Sequence, residues 1–189
     1  GGLHRSGTTI LADALANHHK LQTLKTHNLP QALENEGQHL QTVMHVDDAL
    51  GGPGYYAHNP KAHLTEAHAT PEHAQLLEAQ WNPLYTQNLS DAHRLEKSPS
   101  NMLRTRYLQA LFPKAYFVII VRHPLATAYA TAAWAAKHGG GADAVEPTAV
   151  ADFAEHWLAA HELLAADLPH VRRVRIVHLE EFCERPQEV

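Results

Sequence analysis

Gly1-Gly2-Leu3-His4-Arg5-Ser6-Gly7-Thr8-Thr9 runs straight into Ile10-Leu11-Ala12-Asp13-Ala14-Leu15, a glycine-bearing loop followed by a helix. Such a junction is an anion cradle. Free backbone N–H groups at a helix N-terminus point outward, the helix dipole favours negative charge, and Gly2 and Gly7 let the backbone close on a phosphate. The hydroxyls of Ser6, Thr8 and Thr9 add donors, and Arg5 adds a planar cationic fork. The spacing Gly2-x4-Gly7 is that of a nucleotide-binding P-loop, yet the Lys expected after the second glycine is missing and Thr8-Thr9 stand there. The cation sits inside the loop, at Arg5, which suits a phosphate clamp that does not hold a metal-bound triphosphate. An ordinary strand-to-helix turn capped by Ser6 or Thr8 explains a glycine and a hydroxyl, but not an Arg set among them.

A second block repeats this chemistry. In Leu95-Glu96-Lys97-Ser98-Pro99-Ser100-Asn101, Ser98 and Pro99 predict a helix start, Pro113 predicts its stop, and Lys97 lies just before it. Tyr116 to Val121 is an uninterrupted apolar run, as expected of a strand covered on both faces of a parallel sheet. It ends at Arg122-His123-Pro124, where Pro124 opens an Ala-rich helix that Gly139-Gly140-Gly141 should end. Val150 to Leu168 predicts an amphipathic helix with Phe153, Trp157, Leu164 and Leu168 on one stripe, and Val174 to Leu179 predicts the last strand. Leu21 to Thr26 reads as a short strand, and Trp81 and Trp157 read as core. The alternation of strand and helix predicts a three-layer α/β/α fold with a central parallel sheet, whose ligands sit at the carboxyl ends of strands. Arg5, Lys97 and Arg122 all fall at such junctions, so three distant cations can converge on one anion.

The 189 residues predict a single domain, with an irregular helical insertion over about 51–93 in which Leu77, Trp81 and Leu84 share a side. Because a loop of this kind normally follows a buried strand, the chain reads as truncated at both ends. Apolar content of 44%, charged content of 19% and a net charge of −5 describe a globular protein without a basic face, which argues against a nucleic-acid partner. No apolar run approaches a membrane span. The lone Cys183 excludes an internal disulfide. The 17 histidines do not fall at zinc-ligand spacings: Ala165 stands where an H-E-x-x-H motif from His161 needs its second His, so no metal is expected. His58, His63, His68 and His73 read as solvated surface groups.

Together, the loop at 1–9 and the block from Leu95 through Phe112-Pro113 to Pro124 resemble the two signatures of the sulfotransferases that use 3'-phosphoadenosine 5'-phosphosulfate (PAPS). Arg within the loop makes the bacterial and tyrosylprotein-type branch the nearest likeness. Glu36-Gly37-Gln38-His39-Leu40-Gln41 and Val177 to Phe182 with Arg185-Pro186 are also similar to that branch. The resemblance implies a P-loop-like sulfotransferase fold and PAPS as donor. Arg5, Ser6, Gly7, Thr8 and Thr9 would hold the 5'-phosphosulfate, Arg122 the 3'-phosphate, and Lys97 would face the bridging oxygen of the leaving group. The family usually places a Ser eight residues after that Arg; Ala130 stands here, with Thr131 or Thr127 as the substitute. Glu36 is the first choice of general base, with Glu34 and His27 as alternatives. The partners implied are the nucleotide donor and a hydroxyl or amine acceptor. The compartment is left open, cytoplasm for a bacterial protein and Golgi lumen for a eukaryotic one.

The chemistry is coherent apart from the likeness. In-line sulfuryl transfer resembles phosphoryl transfer, where catalysis is mostly positioning plus stabilisation of leaving-group charge. Sulfuryl carries less charge than phosphoryl, so a metal is less needed. Two other readings compete: a P-loop kinase or NTPase, opposed by the missing lysine and by a strand ending in Arg122, and a non-catalytic nucleotide-binding relic, motivated by Ala130.

Overall fold

The computed structural model describes residues 1–24, 35–85, 92–138 and 147–188. Gly7, at φ 95°, turns the loop into the first helix, α1 (Thr8–Ala16). Only glycine serves there, because a Cβ would meet the Leu179 side chain at 2.7 Å as well as demand left-handed backbone. The helix starts at Thr8, two residues before the apolar pattern begins.

Two parallel ladders form the sheet region. β1 (Leu21–Thr23) pairs with β2 (His93–Leu95) in the register Leu21 to His93, and β3 (Phe117–Val121) pairs with β4 (Val174–His178) in the register Phe117 to Val174. Residues 1 and 2 lie between them. The Gly1 nitrogen donates to the Val118 carbonyl at 2.8 Å, the Ile120 N–H donates to the Gly1 carbonyl at 3.0 Å, and the Gly2 N–H donates to the Pro99 carbonyl at 3.3 Å. Beyond Gly1, a cavity of about 310 Å³ continues between Arg94–Lys97 on one wall and Ala115–Ile119 on the other.

The apolar run at β3 is covered on both faces, as its composition requires. Ile120 packs with Leu11 of α1 and Val177 of β4, whereas Ile119 packs on the other side with Leu3, Met102, Leu103, Ala160 and Leu164. Adjacent strand residues point to opposite layers, and burying each isoleucine contributes about 1.5–3 kcal/mol. Tyr116, read as part of the run, is 75% exposed and outside the strand.

The remaining helices are α2 (Pro71–Trp81), α3 (Thr105–Leu111), α4 (Pro124–His138), α5 (Pro147–Asp167) and α6 (Leu179–Glu184). Short 3₁₀ turns at 48–50, 56–58, 66–68 and 82–84 flank α2 in the sequence, and the Thr70 cap of α2 accepts from the His73 N–H. Leu77 and Trp81 are buried against Tyr107 and Leu108 of α3, with Leu84 packed on them. Ala128 and Ala132 of α4 meet Val150 and Phe153 of α5.

The single helix expected from Pro99 to Pro113 is instead a 3₁₀ turn, Pro99–Leu103, followed by α3. Arg104 breaks it at φ −129°, where its fully buried guanidinium donates to the His45 carbonyl at 2.7 Å. Three of the histidines read as solvated are partnered: His63 Nε2 lies 2.9 Å from Asp167 Oδ2, His73 Nδ1 lies 2.9 Å from the Tyr107 hydroxyl, and His68 Nδ1 accepts the Thr65 N–H at 3.1 Å. Residues 25–26 of the first expected strand, and the glycines expected to end α4, lie outside the described residues. No described helix is long and apolar enough to cross a membrane.

Candidate active site

The loop before α1 alternates its backbone hand. Arg5 has φ 62° and Gly7 φ 95°, left-handed backbone of the kind that anion-binding loops use. Ser6 closes the loop: its N–H and its hydroxyl both donate to the Leu3 carbonyl, at 3.2 and 2.5 Å, and it is buried. Thr8 is buried in the first turn of α1, while Thr9 and the Arg5 side chain are exposed.

Beyond β2 the chain reaches Lys97, which forms a parallel backbone bridge with Glu36. Their side chains meet, Lys97 Nζ lying 2.8 Å from Glu36 Oε1 at 10% and 7% exposure. Glu36 is therefore a buried, paired carboxylate and not a solvated one. Its other oxygen accepts from Gln38 Nε2 at 2.7 Å, with His39 Nε2 3.7 Å away.

The same Gln38 amide nitrogen donates to Asp47 Oδ2 at 2.9 Å, and His4 Nε2, from the loop, lies 2.9 Å from that oxygen. Burial pushes the Asp47 carboxyl up, but hydrogen bonds from His4 and Gln38 outweigh it and hold the group below the usual carboxylate range. His4, Glu36 and Asp47 bring ligand-type atoms within 4.8 Å of one another, a grouping that sequence spacing did not disclose. Gln38 decides its character. Gln38 Oε1 accepts from the Asp47 N–H and the Ser100 hydroxyl, which aims the side-chain N–H₂ at both carboxylates, where a cation would have to sit. The cluster is a hydrogen-bonded network.

Arg122 follows β3 directly, and here the two signatures touch: Arg122 NH1 donates to the Arg5 carbonyl at 2.9 Å. Trp157 is only partly buried; it stacks on His161 at 3.7 Å between ring centroids and donates its indole N–H to the Arg122 carbonyl at 3.1 Å. Glu180, at the start of α6, accepts the His123 N–H at 3.0 Å, and this bond holds its carboxyl below the ordinary range. The Thr131 hydroxyl bonds within α4, whereas the Thr127 hydroxyl lies against the Arg122 carbonyl, 3.5 Å away. Both are 3% exposed, with Thr131 Oγ1 donating to the Thr127 carbonyl at 2.8 Å and Thr127 Oγ1 to the His123 carbonyl at 3.2 Å. That bond to the previous turn is the common resting place of a helical hydroxyl.

The structure thus joins Arg5 to Arg122 and Glu36 to Lys97, and links the loop to Glu36 through His4, Asp47 and Gln38. Glu34 and His27 lie outside the described residues. Gln38 stood in the quoted Glu-Gly-Gln stretch and was readable as part of the site; His4, Asp47 and Glu180 carried no signal in spacing.

Comparison with curated proteins and with solved structures gives no match. A family model described as the sulfotransferase family matches residues 1–189. Over its whole length, from the glycine-bearing loop to the last helix, the chain belongs to the sulfotransferase family.

Proposed function

We propose that this chain transfers a sulfuryl group from PAPS to a hydroxyl or amine acceptor by in-line displacement, in the manner of the bacterial and tyrosylprotein-type branch. The observation that carries the reading is the buried Glu36–Lys97 pair, set at a strand end close to the left-handed Arg5–Gly7 loop. The donor residues fit an anion with two phosphate positions: the loop N–H groups, Arg5, Thr8 and Thr9 on one side, and Arg122 with the first turn of α4 on the other. Bound there, PAPS supplies the sulfuryl group and a bisphosphate leaving group. Glu36 takes the proton of the acceptor as the new bond from sulfur forms, S–O for a hydroxyl and S–N for an amine. Lys97 and Arg5 stabilise the negative charge left on the departing phosphate oxygen as the old S–O bond breaks. With the Thr131 hydroxyl bonded back into α4 and the Thr127 hydroxyl on the carbonyls of His123 and Arg122, the Arg122 side chain and backbone N–H groups carry the 3'-phosphate.

Calorimetric titration with adenosine 3',5'-bisphosphate, and with ATP plus magnesium in parallel, tests the donor. Preference for the bisphosphate is expected, and the reverse preference would return the chain to an NTPase reading. Glu36→Gln should leave that binding intact while lowering sulfate release from PAPS on the order of a hundredfold or more. A wild type that binds the bisphosphate but never releases sulfate would mark a relic.

A further inference from the structure

Glu96 neighbours Lys97 in an extended stretch, where successive side chains point to opposite sides. It therefore turns away from the Lys97 ammonium and under the segment that carries Glu36. Its Oε1 accepts the Gly37 N–H at 3.0 Å and the Ser98 hydroxyl at 2.6 Å, and its Oε2 accepts from Asn101 Nδ2. Ser98 Oγ, oriented by that donation, accepts the Gln38 N–H at 2.9 Å. The two backbone N–H groups that follow Glu36 thus end on Glu96, one directly and one through a single hydroxyl. From the other side Trp81 donates its indole N–H to the Gly37 carbonyl at 3.1 Å. Gly37 is clamped at both its donor and its acceptor.

The fit leaves no slack. A Cβ on Gly37 would stand 2.6 Å from Glu96 Oε1, so only glycine lets the backbone come down onto the carboxylate. Burial holds the Glu96 carboxyl above its usual range despite these donors, so keeping it there costs stability that an apolar residue would not. Residues that retain such a cost serve geometry. The geometry in question is the reach of Glu36 to Lys97, which depends on where the Glu36 backbone is held.

We propose that Glu96 is a positioning residue that fixes the Glu36 backbone against the Lys97 strand end and so sets the base for proton removal. The inference rests on the sulfotransfer reading for its catalytic consequence. Among the described residues, none of the hydrogen bonds Glu96 makes involves the Arg5 loop or Arg122, so donor binding should be separable from it.

The test compares Glu96→Ala and Glu96→Gln in the full chain. Three quantities are read: hydrogen exchange of the 35–41 amides by mass spectrometry, affinity for adenosine 3',5'-bisphosphate, and sulfate release from PAPS with water as acceptor. Glu96→Ala should speed exchange at Gly37 and Gln38 by about tenfold or more and lower sulfate release roughly a hundredfold, the scale of a displaced catalytic group. Bisphosphate affinity should stay within about threefold. Glu96→Gln should restore protection and most of the rate. Its carboxamide oxygen can still accept from Gly37, and its N–H₂ meets Asn101 Oδ1, a buried oxygen without a partner among the described residues, once the Asn101 amide turns over. If Glu96→Ala does not fold, Gly37→Ala presses a methyl on the same oxygen and should give the same pattern. Unchanged exchange in Glu96→Ala, lost protection with an unchanged rate, or a Gln variant as poor as the Ala variant each overturns the proposal. A wild type that neither binds the bisphosphate nor releases sulfate would sink the sulfotransfer reading instead, and exchange would still report whether Glu96 holds the segment.

Discussion

Lys97 and Glu36 neutralise one another at 2.8 Å in a site where each side chain is about nine-tenths buried. Removing one partner from such a pair leaves a charge in low dielectric, which typically costs about 3–5 kcal/mol. Lys97→Ala is expected to lose stability on that scale in urea unfolding. Adding Glu36→Gln should recover part of the loss, because the stranded carboxylate is gone. A double variant no more stable than Lys97→Ala would show that the pair is not electrostatically coupled.

Arg5 serves through two different parts. Its carbonyl receives Arg122, while its side chain is exposed and its backbone is left-handed, a conformation that costs a non-glycine residue of order 1 kcal/mol. Arg5→Ala should weaken bisphosphate binding by more than roughly 1.5 kcal/mol, the lower end for a hydrogen bond to a charged group. Arg5→Gly should weaken binding equally and yet melt at a higher temperature than Arg5→Ala. Equal melting temperatures would mean that the loop carries no strain at this residue.

His156 is 3% exposed, and burial, with His58, His4 and His161 adding to it, lowers its pKa to about 3. In the unfolded chain the imidazole titrates near 6.5. Below that value the unfolded state binds a proton that the folded state refuses, so stability falls as pH drops from about 6.5 toward 3. Between pH 7 and pH 5 this group alone removes about 2 kcal/mol. Asp47, held below the carboxylate range, loses its contribution only at still lower pH. Urea unfolding at both pH values should show a shallower drop for His156→Gln; an identical drop would assign the acid sensitivity elsewhere.

Trp157→Phe keeps a ring beside His161 but removes the donor on the Arg122 carbonyl. A loss of about 1 kcal/mol in stability is expected, with a several-fold weaker affinity for the bisphosphate. Wild-type affinity would mean that Arg122 is held well enough by Arg5 alone.

The sheet was legible in the chain because β3 is apolar at consecutive positions, which only a strand buried on both faces tolerates, and Ile119 and Ile120 do face different layers. The break at Arg104 was not legible, since its cause is a carbonyl at His45 that no local pattern announces. Glu36 and Lys97 were found as separate motif residues, and only the parallel bridge shows them to be one unit. The His4–Asp47 contact spans sequence positions whose types and spacing carry no signal. Thr131 was chosen for its place in the chain, whereas the helix claims its hydroxyl for the preceding turn.

Two of the indoles in this protein touch the two halves of the site by their N–H groups, Trp81 at the Gly37 carbonyl and Trp157 at the Arg122 carbonyl. Their emission is therefore a built-in optical readout, with one fluorophore beside the Glu36 segment and one beside Arg122. Trp134, stacked on His138 near the end of α4, is the background to be removed. In a Trp134→Phe protein, a spectral change on adding bisphosphate that disappears with Trp157→Phe and survives Trp81→Phe would let each half be followed in a stopped-flow trace without any attached dye.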